Sequence, residues 1–331
     1  MWVFASEQMR RVVSTAKRAA PSNLPVLITG ETGTGKEAVA RFIHQHSGRF
    51  RERFIPYNCT SSPRELVESQ LFGHRRGAFT GAVENNLGVV RAAQDGTLLL
   101  DEIAELDHGV QPKLLRLIEN SEVHPLGQPK PLSVDVRIIA ATNADIDQLV
   151  RDRLFRADLF YRLNIIHLRL PPLRERPEDI PPLAGHFLRR YSVDHGKRNL
   201  RLSGAAIERL TLQEWEGNVR QLANEINRAV AFAESGTLIT PEHFSEAVAP
   251  ASATQGDPSD GAPVAPHDTV TVATDQPLQA ARDRIERALI LRALRAAHGR
   301  VGPAAKRLGI SRKGLLLKRR RLNIDVKRLP D

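Results

Sequence analysis

Three stretches of this chain carry residues able to handle phosphate. Gly30, Glu31, Thr32, Gly33, Thr34, Gly35 and Lys36 follow the pattern G-x-x-x-x-G-K. An apolar run, Leu24 to Ile28, precedes them, and a helix-compatible segment from Glu37 to His46 follows. Strand, glycine-rich turn and helix are the setting of a phosphate-binding loop. The glycines let backbone N–H groups turn inward at a helix N-terminus, where the helix dipole also favours anions. Lys36 adds a point charge for the outer phosphates. The second stretch, Gly96 to Glu102, is an apolar strand ending in two carboxylates, Asp101 and Glu102. Asp101 is placed to hold the Mg²⁺ that bridges outer phosphates, and Glu102 to orient and polarise an attacking water. The third, Ile138 to Asn143, is another buried strand ending in polar residues, and Thr142 or Asn143 can sense a γ-phosphate by hydrogen bonding. Arg156 and Arg162 lie further on; an arginine inserted from a neighbouring subunit stabilises transition-state charge on phosphate, whereas spacing alone favours two surface ion pairs.

These residues need a scaffold. Strand-like runs at 54–59, 97–100, 134–141 and 165–170 alternate with helical stretches such as 111–120, and residues 1–20 also read as helix. That alternation predicts a parallel α/β sheet with helices on both faces. Ligands then sit beyond the carboxyl ends of the strands, where the glycine-rich loop falls. From Arg176 to about Val248 the apolar spacing is helical throughout, with Leu183, Leu188, Leu210, Leu222, Ile226 and Val230 marking core stripes.

The composition is that of a protein with a real core: 41% hydrophobic and 26% charged in 331 residues. One cysteine, Cys59, excludes an internal disulfide and a cysteine zinc cluster and suits a reducing, cytoplasmic setting. No apolar run approaches membrane-spanning length, so no membrane partner is expected. The formal charge of +10 is uneven. From Arg282 onward sixteen Lys and Arg face four Asp and Glu, a net +12, which leaves the rest of the chain at −2. A basic tail of this kind is a footprint for nucleic acid.

The tail is also patterned. Pro250 to Pro277 is rich in Pro, Ala, Ser, Asp, Thr and Gly and reads as a linker. Ile290, Ala293, Leu294 and Ala297 mark one face of a helix; Gly302 and Pro303 open a second, which Gly309 ends. Ser311 is a good N-cap for a third helix carrying Arg312, Lys313, Lys318, Arg319, Arg320 and Arg321, with Leu315 toward the core. Two short helices across a glycine turn, the second basic, form a helix-turn-helix whose basic residues meet phosphates and base edges of double-stranded DNA. Gly314 sits inside that helix at a cost of about 1 kcal/mol against alanine.

Leu71 to Ala82 contains the hexamer Gly77, Ala78, Phe79, Thr80, Gly81 and Ala82, a glycine-hinged loop presenting one aromatic ring and one hydroxyl. With it the chain resembles the AAA+ activators of sigma-54 RNA polymerase, the bacterial enhancer-binding proteins, and the basic tail resembles their Fis-type DNA-binding module. The resemblance covers nearly the whole chain. It implies an ATPase with Mg²⁺ at Asp101 and ATP held by residues 30–37, Glu37 standing where many phosphate loops have Ser or Thr. It implies that Asn58 is a switch residue coupling Glu102 to the loop at 77–82, and that Thr142 and Asn143 form a first sensor. It further implies that Arg156 and Arg162 are fingers reaching a neighbouring subunit's nucleotide, that Arg220 is a second sensor, and that 171–176 join the α/β part to a helical lid. Phe79 and Thr80 would engage the sigma-54 holoenzyme from a hexameric ring, while a dimer of the tail binds enhancer DNA. The expected layout is an α/β ATPase subdomain over 1–172, a helical lid over 173–248, a linker over 249–278 and a helix-turn-helix over 279–331. No regulatory domain is expected ahead of the ATPase, which leaves control to expression, to a regulatory protein acting in trans, or to a region outside this sequence. Glu216 replaces the family's usual proline, Gly314 its usual threonine, and Arg75 and Arg76 its commoner acidic or mixed pair. Two other readings are a DNA-binding regulator that uses nucleotide only as an assembly switch, and an AAA+ remodelling ATPase that shares only the core.

Overall fold

Each buried strand is apolar on both sides, which forces helices onto both faces of the sheet. The computed structural model describes residues 3–79 and 81–245, and seven single positions beyond (287, 290, 293, 294, 301, 303 and 315). Helix α1 (Glu7–Ala19) is capped by Ser6, whose hydroxyl accepts from Met9 N–H. Strand β1 (Val26–Thr29) leads through the glycine-rich loop into α2 (Lys36–Gln45). There follow β2 (Phe54–Asn58), α3 (Arg64–Phe72), the single turn α4 (Val89–Ala92), β3 (Thr97–Asp101) and α5 (Gln111–Asn120). The short antiparallel pair β4 (Glu122–Val123) and β5 (Leu132–Ser133) precedes β6 (Arg137–Thr142), α6 (Ile146–Arg151), α7 (Ala157–Leu163) and β7 (Ile166–Arg169).

The five main strands pair in the order β2-β3-β6-β1-β7, all parallel. The period of two divides their side chains between two cores. Leu27, Leu98, Leu100, Ile138 and Ala140 pack with Leu71, Leu114, Leu117 and Leu159. Val26, Ile28, Leu99, Ile139 and Ala141 pack on the other face with Ala16, Val39, Ala40 and Ile43. The sheet expected from the sequence is therefore present. Its strands start or end one to three residues from the expected bounds, since apolar spacing does not fix where ladder pairing stops.

Arg137 shows how α1 is fastened. It is 1% exposed, and its guanidinium donates to the carbonyls of Ala20 at 2.6 Å and Ala19 at 2.9 Å. Those are last-turn carbonyls that lack helical partners. Burial holds the guanidinium down, to about 10.

The lid contains α8 (Ile180–Asp194), α9 (Gly204–Thr211) and α10 (Asn218–Phe232), with the parallel pair β8 (Arg201–Leu202) and β9 (Leu238–Ile239). Its core joins Leu183, Leu188, Leu210, Leu222, Ile226 and Val230 around a fully buried Trp215. Residues 257–331 form a separate compact unit. In it Ile290, Ala293, Leu294 and Leu315 are helical and buried, as the apolar pattern requires. Val301 and Pro303 are helical too. Ala297, the linker and the basic positions Ser311, Arg312, Lys313, Lys318, Arg319, Arg320 and Arg321 lie outside the described residues, as does Gly314.

Candidate nucleotide site

Strand β1 delivers the loop to the carboxyl edge of the sheet, and α2 starts within it. Gly35 precedes the helix at φ +106°, and Gly33 lies at φ +79°. Both conformations suit glycine and penalise a Cβ. The first N–H groups of α2 have no acceptor of their own helix, so they are donors aimed at an anion. A cleft of about 290 Å³ opens there, lined by Thr32, Gly33, Gly35, Lys36, Glu37, Asn58, Asp101, Glu102 and Arg220.

Lys36 is only 7% exposed. Its ammonium donates to Gly30 O at 2.9 Å and stands 3.6 Å from Glu102 Oε1. Asp101 and Glu102 close β3, and Glu102 takes a left-handed backbone, φ +53° and ψ +49°. A non-glycine residue in that region is strained, and strain of this kind collects at working sites. It turns the carboxylate so that Oε2 accepts from Asn143 N–H at 3.0 Å. Burial, and then the neighbouring Glu102 charge, raise the Asp101 carboxyl above its usual range, while Lys36 opposes them. A crowded carboxylate pair beside open backbone donors is a fit for a divalent cation shared with phosphate oxygens. No group of three His, Cys, Asp or Glu able to cage a metal occurs among the described residues. Asp101, the strand-end carboxylate lining the cleft, is the residue that would hold such a cation.

The expected site residues distribute as follows. Gly30 and Glu31 line a neighbouring cleft of about 420 Å³ together with Asn143. Thr34 is buried; its hydroxyl donates to Glu31 O at 2.7 Å. Thr142 is fully buried, and its hydroxyl accepts from Ala144 N–H at 3.1 Å, which leaves Asn143 as the reachable half of that pair. The Asn143 amide donates to Thr32 Oγ1 at 2.8 Å. Asn58 pairs in register with Asp101, but its Oδ1 accepts from the N–H of Thr60 at 2.8 Å and its hydroxyl at 2.7 Å. Glu102 is held instead by Asn143 and Lys36.

Arg156 is half-buried just before α7 and Arg162 is exposed on it; neither lines the cleft. Arg156 forms a two-point ion pair with Asp158 at 3.0 and 2.7 Å, and Arg162 Nε meets Glu119 at 2.8 Å. Cys59 is buried beside the carboxylate pair, and burial pushes its thiol up to about 12, so it stays protonated and unreactive.

Sequence reasoning missed how the loop meets the lid. Arg174 pairs with Glu31 at 2.8 and 2.5 Å, and that bond holds the Glu31 carboxyl down to about 2. Buried Arg176 donates to Thr34 O at 2.9 Å and lies 3.4 Å from Asp179 Oδ2. Asp179 in turn accepts from Ala5 N–H, Ser6 N–H and Ser6 Oγ, joining the N-terminal segment to the lid. The signal was visible as two arginines in the 171–176 junction, but their partners are distant in sequence. A further apolar cleft of about 220 Å³ lies beside Thr34 and Gly35, walled by Val3, Met9, Ala38, Leu183, Phe187 and Val219.

The 77–82 loop departs from the expectation of an exposed ring. Phe79 is half-buried, edge-on to the His74 ring at 5.0 Å and 68°. Gly77 N–H donates to Ala82 O and Ala82 N–H to Phe79 O, closing the loop on itself. Its base is tied to the 126–128 segment through Arg75 N–H to Leu126 O at 3.0 Å. Thr80 lies outside the described residues.

A phosphate loop, a strand-end carboxylate pair and a helical lid bearing an arginine define a nucleotide-binding AAA+ domain. Residues 2–169 match the Sigma-54 interaction domain, 174–260 the AAA+ ATPase lid domain, and 281–322 the Bacterial regulatory protein, Fis family. The chain belongs to the sigma-54 interaction domain family. It is 43% identical over 282 residues to the transcriptional regulatory protein FlbD of Caulobacter vibrioides, covering 85% of this chain and 59% of that one. It is 41% identical over 320 residues to the regulatory protein AtoC of Escherichia coli, covering 97% and 67%. A crystal structure of NtrX from Brucella abortus in complex with ATP is similar with TM-score 0.70 and 30% identity, covering 98% of this chain and 70% of that one. The chain thus spans about three-fifths of FlbD's length and about two-thirds of AtoC's. No helix among the described residues is long and apolar enough to cross a membrane.

Proposed function

We propose that this chain hydrolyses ATP and uses the energy to activate transcription by sigma-54 RNA polymerase. The observation that carries the proposal is the convergence of Lys36, Asp101, Glu102 and Arg220 on one cleft at a glycine-rich helix N-terminus. The loop N–H groups and Lys36 hold the outer phosphates, and the apolar cleft beside Thr34 and Gly35 takes the base. Mg²⁺ on Asp101 would supply charge neutralisation across the outer phosphate oxygens. Glu102, aimed by its strained backbone and by Asn143, accepts the proton of the attacking water. Arg220 reaches the phosphates from the lid. Arg156 and Arg162 leave their ion pairs with Asp158 and Glu119 to meet a neighbouring subunit's nucleotide, so the active assembly is a ring, a hexamer by family resemblance. The chemistry is phosphoryl transfer, in which positioning and charge stabilisation do most of the catalysis.

Nucleotide state acts on the rest of the ring through Glu102 and Asn58, and raises the 77–82 loop. Phe79 then leaves His74, and with Thr80 engages sigma-54. The 279–331 module holds enhancer DNA as a dimer through Ser311, Arg312, Lys313 and the basic run from Lys318 to Arg321. The setting is cytoplasmic.

The direct test is phosphate release by the purified chain. Glu102→Gln should bind ATP with near wild-type affinity and lose turnover by about 10²-fold or more. Undiminished release by that variant rejects the assignment of the base. Absence of release by the wild type at any protein concentration rejects the ATPase and favours nucleotide as an assembly switch.

A further inference from the structure

The phosphate loop touches the lid over a very short distance. A Cβ on Gly33 would stand 2.3 Å from Gly217 O and 3.1 Å from Arg220 Cβ. Arg220 N–H donates to Gly33 O at 3.3 Å. Between these contacts lies Asn218, fully buried at the start of α10 and held at φ +53°. Its carbonyl oxygen accepts from Leu173 N–H at 2.7 Å. Its amide nitrogen donates to Glu31 Oε2 and to Thr32 O, each at 3.1 Å, and faces Glu216 O at 3.3 Å. One side chain thus joins the phosphate loop, the 171–176 junction and the helix that carries Arg220.

We propose that Asn218 is a positioning residue: its amide reads the peptide after Thr32 and the Glu31 carboxylate, and so fixes Arg220 against the phosphates. This rests on the ATPase reading above and assigns a new role within that site. The chemistry favours a neutral amide. Only an amide presents both the acceptor for Leu173 N–H and the donors for two loop oxygens. A carboxylate of the same shape would keep the acceptor and set a negative charge against Glu31 and Thr32 O. The loss falls on a charged partner, so it is larger than for a neutral hydrogen bond. The left-handed backbone favours Asn or Gly among the residues that could stand there.

A double-mutant cycle separates positioning from general stability. Steady-state ATP turnover, and affinities for ATP and ADP, are measured on the full chain, its Arg220→Ala variant, Asn218→Asp and the double variant. Arg220→Ala and Asn218→Asp should each lower kcat/KM for ATP by roughly tenfold or more, with ADP affinity less affected than ATP affinity. The double variant should be within about twofold of Arg220→Ala, since the two act as one unit. Multiplied losses, or a wild-type kcat/KM in Asn218→Asp, overturn the role of Asn218. Should Asn218→Asp not fold, Asn218→Gly takes its place in the cycle; glycine permits the same backbone conformation and removes the whole side chain. A wild-type chain that releases no phosphate overturns the ATPase reading itself, whereas normal wild-type turnover with an additive cycle overturns this inference alone.

Discussion

Gly33→Ala isolates the contact between phosphate loop and lid from the strain of the loop itself. Gly33 and Gly35 both have positive φ, +79° and +106°. An alanine at either costs about 1 kcal/mol or slightly more in left-handed strain. Their surroundings differ. The new methyl at Gly35 meets nothing within 4 Å, whereas at Gly33 it meets Gly217 O at 2.3 Å. An ordinary contact needs roughly 1 Å more, so the lid must retreat or the loop must distort, and overpacking of this kind costs about 1–3 kcal/mol. Gly33→Ala should therefore lose about 2–4 kcal/mol and Gly35→Ala about 1 kcal/mol. For a folded unit of this size, each kcal/mol is worth about 2–4 °C in Tm. Thermal and urea unfolding without nucleotide should rank wild type, Gly35→Ala and Gly33→Ala in that order. Gly33→Ala should also detach Arg220 from the cleft and weaken ATP binding. Equal Tm losses for the two variants would refute the claim that the loop and the lid are in contact at Gly33.

Two other predictions concern single interactions. Glu31 is held down to about 2 by its bond to Arg174, so the pair stabilises the fold above the ordinary carboxyl range of about 4.5 and loses that contribution as pH falls toward 2. Both side chains are more than 40% exposed, so the effect is below about 1 kcal/mol and shrinks in high salt. Glu31→Gln should narrow its stability gap from wild type between pH 6 and pH 3 in urea titrations; a gap that widens would contradict the pairing. Arg137→Met leaves the Ala20 carbonyl without its donor, while Ala19 O keeps the Ser22 N–H and hydroxyl, and should cost about 1–3 kcal/mol, with earlier proteolysis at the end of α1. Wild-type stability of Arg137→Met would show that water satisfies the Ala20 carbonyl.

The sequence revealed elements whose cause is local. Helix 111–120 was read to the residue because polar Gln111 opens an unbroken apolar stripe through Leu114 and Leu117. The loop at 30–36 was legible because glycine spacing and a following helix are one physical device. What escaped was set by contacts far along the chain. Glu31 meets Arg174 and Asn218, Arg137 meets the end of α1, and Arg176 meets Thr34. No spacing rule connects such pairs. Thr142 and Asn143 looked equivalent as strand-end polar residues, and only burial distinguishes them. Phe79 was read as an exposed ring because nothing local says that His74 turns its own ring toward it. The strain at Glu102 was equally invisible, since Glu carries no preference for a left-handed turn.

The central claim is that ATP hydrolysis at the Lys36–Glu102 cleft is coupled to promoter opening through the 77–82 loop. The measurement that addresses it most directly is open-complex formation in a purified system with a sigma-54 promoter and an upstream enhancer, scored by reactivity of unpaired bases. The account predicts opening with hydrolysable ATP and sigma-54 holoenzyme, none with a non-hydrolysable analogue, and none with Thr80→Ala even though that variant still releases phosphate. Opening by Thr80→Ala, or opening that is indifferent to hydrolysis, would contradict it.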